Sequence, residues 1–261
     1  MRQLAKRPRL DTATRNRLAA ETKAIRRAAD RKAEAKKRYE NARGKTEENV
    51  AKKAKETQKA RKKDDAWFEP VIQALKELAA PRGRCMYCGG SEGVQVEHYR
   101  PQAFFPQRAL SWRNLLFVCG ECNRRKLNHF PPVTEAGARL INPVDDNVWD
   151  YFTLDEFGIL TPIWRVDLDG LDPRAVSTLE HICLNREGVQ EVRLDRIRDL
   201  SCQVEKELNL FTKGEITRVD LEAKVRDWRD QPFQPDVADF FLNGPGKTKQ
   251  PFAKLFAALT G

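Results

Sequence analysis

The sequence predicts an α+β chain that is mostly α, and three observations carry that prediction. Ala, Lys, Arg and Glu dominate residues 11–64, almost without β-branched residues, and unbranched side chains lose little rotamer freedom on a helix. From residue 66 onward, apolar residues recur at helical spacing in several stretches. Strand-like runs are short, and one pair of them flanks a glycine turn near residue 158.

Residues 1–65 are expected to make a basic helical arm. They hold 23 Lys and Arg against 10 Asp and Glu, whereas the other 196 residues hold 25 basic and 28 acidic side chains. The formal charge of +10 therefore belongs to the arm. Such a charge suits phosphate backbones, and an acidic protein surface would serve as well. Leu18, Ile25, Tyr39 and Val50 are too sparse for a heptad seam. Gly44 interrupts the run, and Thr46 followed by Glu47 and Glu48 reads as a fresh N-cap. Two solvated helices, able to fold back as a hairpin, are the expectation; a charged tail without fixed structure is the alternative.

Residues 66–135 are read as a core domain. It opens with Val71, Ile72, Leu75, Leu78 and Ala79, which repeat at helical spacing after Pro70, and Pro81-Arg82-Gly83 stops that helix. Residues 136–261 are read as a mostly helical C-terminal region. Tyr151-Phe152-Thr153-Leu154 and Ile159-Leu160-Thr161 flank Gly158 as a short hairpin. Helices are expected over residues 174–183, 188–209, 219–229 and 251–259. Gly244-Pro245-Gly246-Lys247-Thr248 ends like a phosphate-binding loop, but that motif needs glycine at 241, where Phe241 stands, and Pro251 interrupts the helix that should follow. A plain turn is expected there.

The sequence contains no apolar run long enough to span a membrane, and its first residues lack the apolar stretch of a signal peptide. A cytoplasmic location is expected. In a reducing compartment, six cysteines point to metal ligands and buried thiols rather than disulfides. Cys85-Met86-Tyr87-Cys88 and Cys119-Gly120-Glu121-Cys122 are two C-x-x-C knuckles, 30 residues apart. Each offers two thiolates at a bite that tetrahedral zinc accepts, and together they complete a closed four-thiolate site. With no open position, that zinc would brace the fold and take no part in chemistry. Cys183 and Cys202 are read as small buried core residues.

Between and beyond the knuckles lie Val96-Glu97-His98-Tyr99-Arg100-Pro101 and Trp112-Arg113-Asn114-Leu115-Leu116, and Asn123 directly follows the fourth cysteine. An imidazole is the natural general base near pH 7, and a hard divalent cation takes oxygen ligands such as a carboxylate and an amide carbonyl. The order C-x-x-C, E-H-x-x-P, W-x-N-L-L, C-x-x-C-N-x-x-K resembles the HNH nuclease family in its zinc-braced form. That resemblance implies a small ββα-metal core inside the helical body, with His98 as general base. It implies that Glu97 and Asn123 hold a catalytic Mg²⁺ or Mn²⁺, and that Asn114 ties down the loop that orients the base. Glu97 is one methylene longer than the Asp often found at its position, so it could also reach the cation through water. Arg100, Arg124 and Lys126 are read as phosphate contacts on nucleic acid, with DNA the expected substrate. His129 and His181 are read as structural, since neither carries a partner pattern.

Further along, Leu140-Ile141-Asn142-Pro143 with Asp145-Asp146, the hairpin around Gly158, and Thr178 through Leu184-Asn185-Arg186 resemble one HNH subfamily. Its members are the nuclease subunits of Septu-type and certain retron-linked anti-phage systems, which implies an ATPase partner. A zinc-ribbon nucleic-acid-binding module, or a scaffold without catalysis, would explain the cysteines and the arm. Neither explains the Glu97-His98 pair together with Asn114 and Asn123.

Overall fold

A computed structural model of the chain describes residues 8–41, 66–79, 83–90, 94–127, 129–130, 140–230 and 235–260. It is α+β and mostly helical, and its contacts divide it into two compact units. One holds Pro8–Leu75 with His98–Leu116; the other holds Lys76–Glu97 with Phe117–Gly261. Among the described residues no helix is long and apolar enough to cross a membrane.

The first unit is organised by helix α1 (Thr12–Asn41). Asp11 caps it: its carboxylate accepts from the Thr14 amide at 2.9 Å and the Thr14 hydroxyl at 2.5 Å, satisfying donors that the first helical turn leaves open. Those hydrogen bonds from Thr14 hold the Asp11 carboxyl below its ordinary range. The start of this helix is anchored, in contrast to the expected solvated arm. Leu10, Thr14 and Leu18 are buried, the Trp112 indole donates to the Pro8 carbonyl at 3.1 Å, and the Arg17 guanidinium lies 5.4 Å from the Trp67 ring centroid. Three apolar or capping residues within nine positions are too few to register as an amphipathic face. The second arm helix expected after Thr46 lies outside the described residues.

Helix α2 (Glu69–Leu78) takes the chain onward and buries Val71, Leu75 and Leu78, the face its spacing predicted. Strands β1 (Val94–His98) and β2 (Leu115–Cys119) form a two-stranded sheet, and helix α3 (Gly120–Lys126) follows β2 without a loop. The order strand, strand, helix is thus present over residues 94–126.

The rest of the second unit carries two hairpins and five helices among the described residues. Strands β3 (Phe152–Leu154) and β4 (Leu160–Pro162) pair antiparallel with Thr153 opposite Thr161. Gly158 turns between them at φ +78°, and a Cβ there would meet the Gln190 carbonyl at 2.7 Å, so only glycine fits. A second hairpin, β5 (Trp164–Arg165) with β6 (Gly170–Leu171), was not expected, because two-residue strands carry no readable alternation. Helices α4 (Pro173–Ile182), α5 (Glu187–Thr212), α6 (Arg218–Asp230) and α8 (Phe252–Thr260) fall where apolar spacing placed them. Helix α7 (Pro235–Leu242) is additional. A buried ion pair, Arg193 to Asp236 at 3.0 Å, ties α5 to α7. The Trp149 indole donates to Asp239 at 2.7 Å, and Phe240, Phe241 and Phe252 pack into one aromatic cluster. Pro245–Thr248 is a short 3-10 turn, as expected.

Candidate metal centre and nuclease site

Cys85, Cys88, Cys119 and Cys122 come together in the second unit, all buried, with their four Sγ atoms within 4.8 Å of one another. The chain delivers them by two local devices. In each knuckle the backbone folds so that the second cysteine's amide points at the first sulfur, Cys88 to Cys85 at 3.5 Å and Cys122 to Cys119 at 3.4 Å. The Met86 amide then donates to the Phe117 carbonyl at 2.9 Å, joining the first knuckle to β2. Gly89 at φ +74° allows the tight return that brings the Gly90 amide to 3.4 Å from Cys88 Sγ.

The fit to zinc is geometric. Zn–S bonds of about 2.3 Å arranged as a tetrahedron place sulfurs about 3.8 Å apart, and Cys88 and Cys119 lie 3.7 Å apart. Hydrogen bonds from Cys122 and Cys85 pull the Cys119 thiol below its ordinary range, while burial pushes Cys85 up. Four thiolates held this close would need a cation to neutralise them. The other two cysteines depart from expectation: Cys202 is exposed and Cys183 only half-buried, at the left-handed end of α4.

His98 is the last residue of β1 and is half-buried. The loop that follows it is pinned by Asn114, whose buried side chain closes three hydrogen bonds. Its Oδ1 accepts from the Arg100 amide at 2.8 Å, and its Nδ2 donates to the carbonyls of Arg100 at 3.1 Å and Arg108 at 3.0 Å. The Tyr99 amide donates to the Asn114 carbonyl at 2.8 Å. Asn114 therefore spans the turn on both sides, and its loss would remove three part-buried hydrogen bonds that hold the loop. Asn123 sits half-buried in α3, directly after the cysteine Cys122.

Residues 85–129 match the family model "HNH endonuclease". They are an HNH endonuclease domain. The match runs from the first knuckle cysteine through His98, Asn114 and Asn123 to His129. Two curated relatives, each a Septu protein PtuB, share modest identity with the chain. One, from Bacillus thuringiensis, is 27% identical over 129 residues, covering 47% of this chain and 44% of its own length. The other, from Bacillus mycoides (strain KBAB4), is 30% identical over 122 residues, covering 35% of this chain and 41% of its own length. The chain spans less than half the length of the curated relatives it matches.

Within the HNH domain, the structure gives several charged residues partners that spacing did not reveal. Lys126 is fully buried, and its ammonium donates to Glu97 Oε1 at 2.7 Å across the ββα unit. Burial pulls the Lys126 ammonium below its ordinary range, opposed by the Glu97 charge. A solvent-facing phosphate contact, the role its sequence position suggested, is not what this burial offers. Arg124 is exposed and pairs with Glu121, which also holds Arg125 at 2.5 Å. Arg100 is half-buried, with its guanidinium 5.6 Å from the Phe105 ring centroid. His129 and His181, read separately as structural, stack on each other with ring centroids 3.1 Å apart, and Ser177 hydrogen-bonds both. No spacing rule links positions 52 residues apart, so that pairing is invisible in the sequence.

Proposed function

We propose that this chain is a metal-dependent HNH endonuclease that hydrolyses phosphodiester bonds in DNA. In this reading His98 takes the proton from the attacking water, and Asn114 fixes the loop that aims the imidazole. Glu97 and Asn123 would hold a catalytic Mg²⁺ or Mn²⁺, and such a cation would supply positive charge to offset the negative charge developing at the phosphate. Arg100 and Arg124 are the candidate phosphate contacts. The observation that carries the reading is the HNH match over residues 85–129, which includes His98, Asn114 and Asn123. The buried four-cysteine cluster supports zinc as a separate structural metal.

The test is incubation of the purified chain with plasmid DNA, single-stranded DNA and RNA in Mg²⁺ and in Mn²⁺. Cleavage of DNA that stops with chelator and returns with Mg²⁺ or Mn²⁺ is expected. Binding without cleavage under all conditions would favour the zinc-ribbon binding module instead.

The relatives named Septu protein PtuB support a wider reading, in which this chain is the effector nuclease of a cytoplasmic anti-phage complex with an ATPase. A weakly selective nuclease needs restraint in its own cell, and Gly244–Thr248 makes a turn rather than a nucleotide site. Affinity purification from the native host should recover an ATPase at near-equal stoichiometry, with cleavage that responds to ATP. A chain that purifies alone and cleaves fully without nucleotide would remove the complex and leave the nuclease.

A further inference from the structure

A zinc ion bound by four thiolates carries a formal charge of −2, and burying that charge is costly unless neighbouring donors offset it. The knuckle amides of Cys88, Gly90 and Cys122 supply dipoles. A full positive charge comes from outside the HNH domain. Arg186, the residue immediately before α5, directs Nη2 to Cys122 Sγ at 3.7 Å. Its Nη1 donates to the Cys183 carbonyl at 3.2 Å and the Ile182 carbonyl at 3.5 Å. One guanidinium therefore links the end of α4, the start of α5 and the thiolate that immediately precedes Asn123 in α3.

We propose that Arg186 is an outer-shell partner of the zinc tetrathiolate, and that through it the metal holds the α4–α5 junction against α3. The reading rests on the zinc assignment and not on catalysis. Arg186 is suited to the task because its planar fork donates in several directions at once while its charge is permanent. The purely local alternative is that Arg186 only caps the carbonyls at the end of α4. The two readings part on whether zinc itself feels the residue.

The experiment measures zinc release to a chromogenic chelator from the full chain, with R186Q and R186K beside the parent. Outer-shell partners of metal sites change affinity by about 10–100-fold. R186Q should lose zinc faster by about that factor, while R186K, which keeps the charge, should fall between R186Q and the parent. In Co²⁺-substituted protein the sulfur-to-cobalt absorption should shift in R186Q. If R186Q does not fold, R186K alone decides, since release within twofold to tenfold of the parent is expected. Release from R186Q at the parent rate, or R186K as leaky as R186Q, would reduce Arg186 to a helix cap. A parent chain that holds no zinc would instead overturn the zinc assignment itself.

Discussion

At the scale of single residues, the Glu97–Lys126 pair sets the electrostatics of the ββα unit. The Lys126 side chain is fully buried and that of Glu97 is 10% exposed. Removing one partner strands the other charge, at a cost of about 3–5 kcal/mol, whereas replacing both with apolar residues is often nearly neutral. Lys126→Met should therefore destabilise strongly in urea titrations, and Glu97→Leu with Lys126→Met together should recover most of that loss. Additive losses in the double variant would mean the pair is not coupled. The site residues differ in how legible they are in the sequence. His98, Asn114 and Asn123 stand out because motif order alone marks them. The burial of Lys126 is not legible, because three residues of helical spacing fix its face and not its depth. Arg186 enters the sequence reading only through a downstream resemblance, since nothing in the sequence connects it with Cys122, 64 residues earlier.

At the scale of elements, two knuckles and a short sheet do what a larger core would otherwise do. Structural zinc in small domains contributes about 10–16 kcal/mol of coupled folding. Cys122→Ser should yield chain that is insoluble or unfolded over the HNH domain, and metal analysis of the parent should give close to one zinc per chain. A soluble Cys122→Ser variant with a folded circular-dichroism spectrum would contradict the brace. The long helices and the β3–β4 hairpin are legible because apolar period and a glycine turn are local signals. The β5–β6 hairpin and α7 are not, since their pairing and burial depend on partners elsewhere in the chain, such as Asp236 for Arg193.

At the scale of the whole molecule, charge is segregated: the arm is basic and the remainder slightly acidic. The start of α1 is anchored by Leu10, Leu18 and Pro8, while Arg26, Arg27 and Arg31 further along it are exposed. If α1 binds nucleic acid, replacing these three arginines with alanine should weaken the complex. It should also flatten the plot of log K against log salt by about 0.9 for each duplex phosphate that is no longer neutralised. An unchanged slope would assign the helix to a protein partner. The same substitutions leave the anchoring residues intact, which deletion of the arm would not.

In the proposed function His98 performs the chemistry, and a zinc held by the four cysteines would take no part in it. Single-turnover cleavage of DNA by His98→Ala, compared with the parent in Mg²⁺ and at equal zinc content, tests this directly. Loss of a general base lowers the rate by about 10²–10⁴-fold, and that loss is expected here with zinc and fold unchanged. Cleavage by His98→Ala at the parent rate would contradict the assignment.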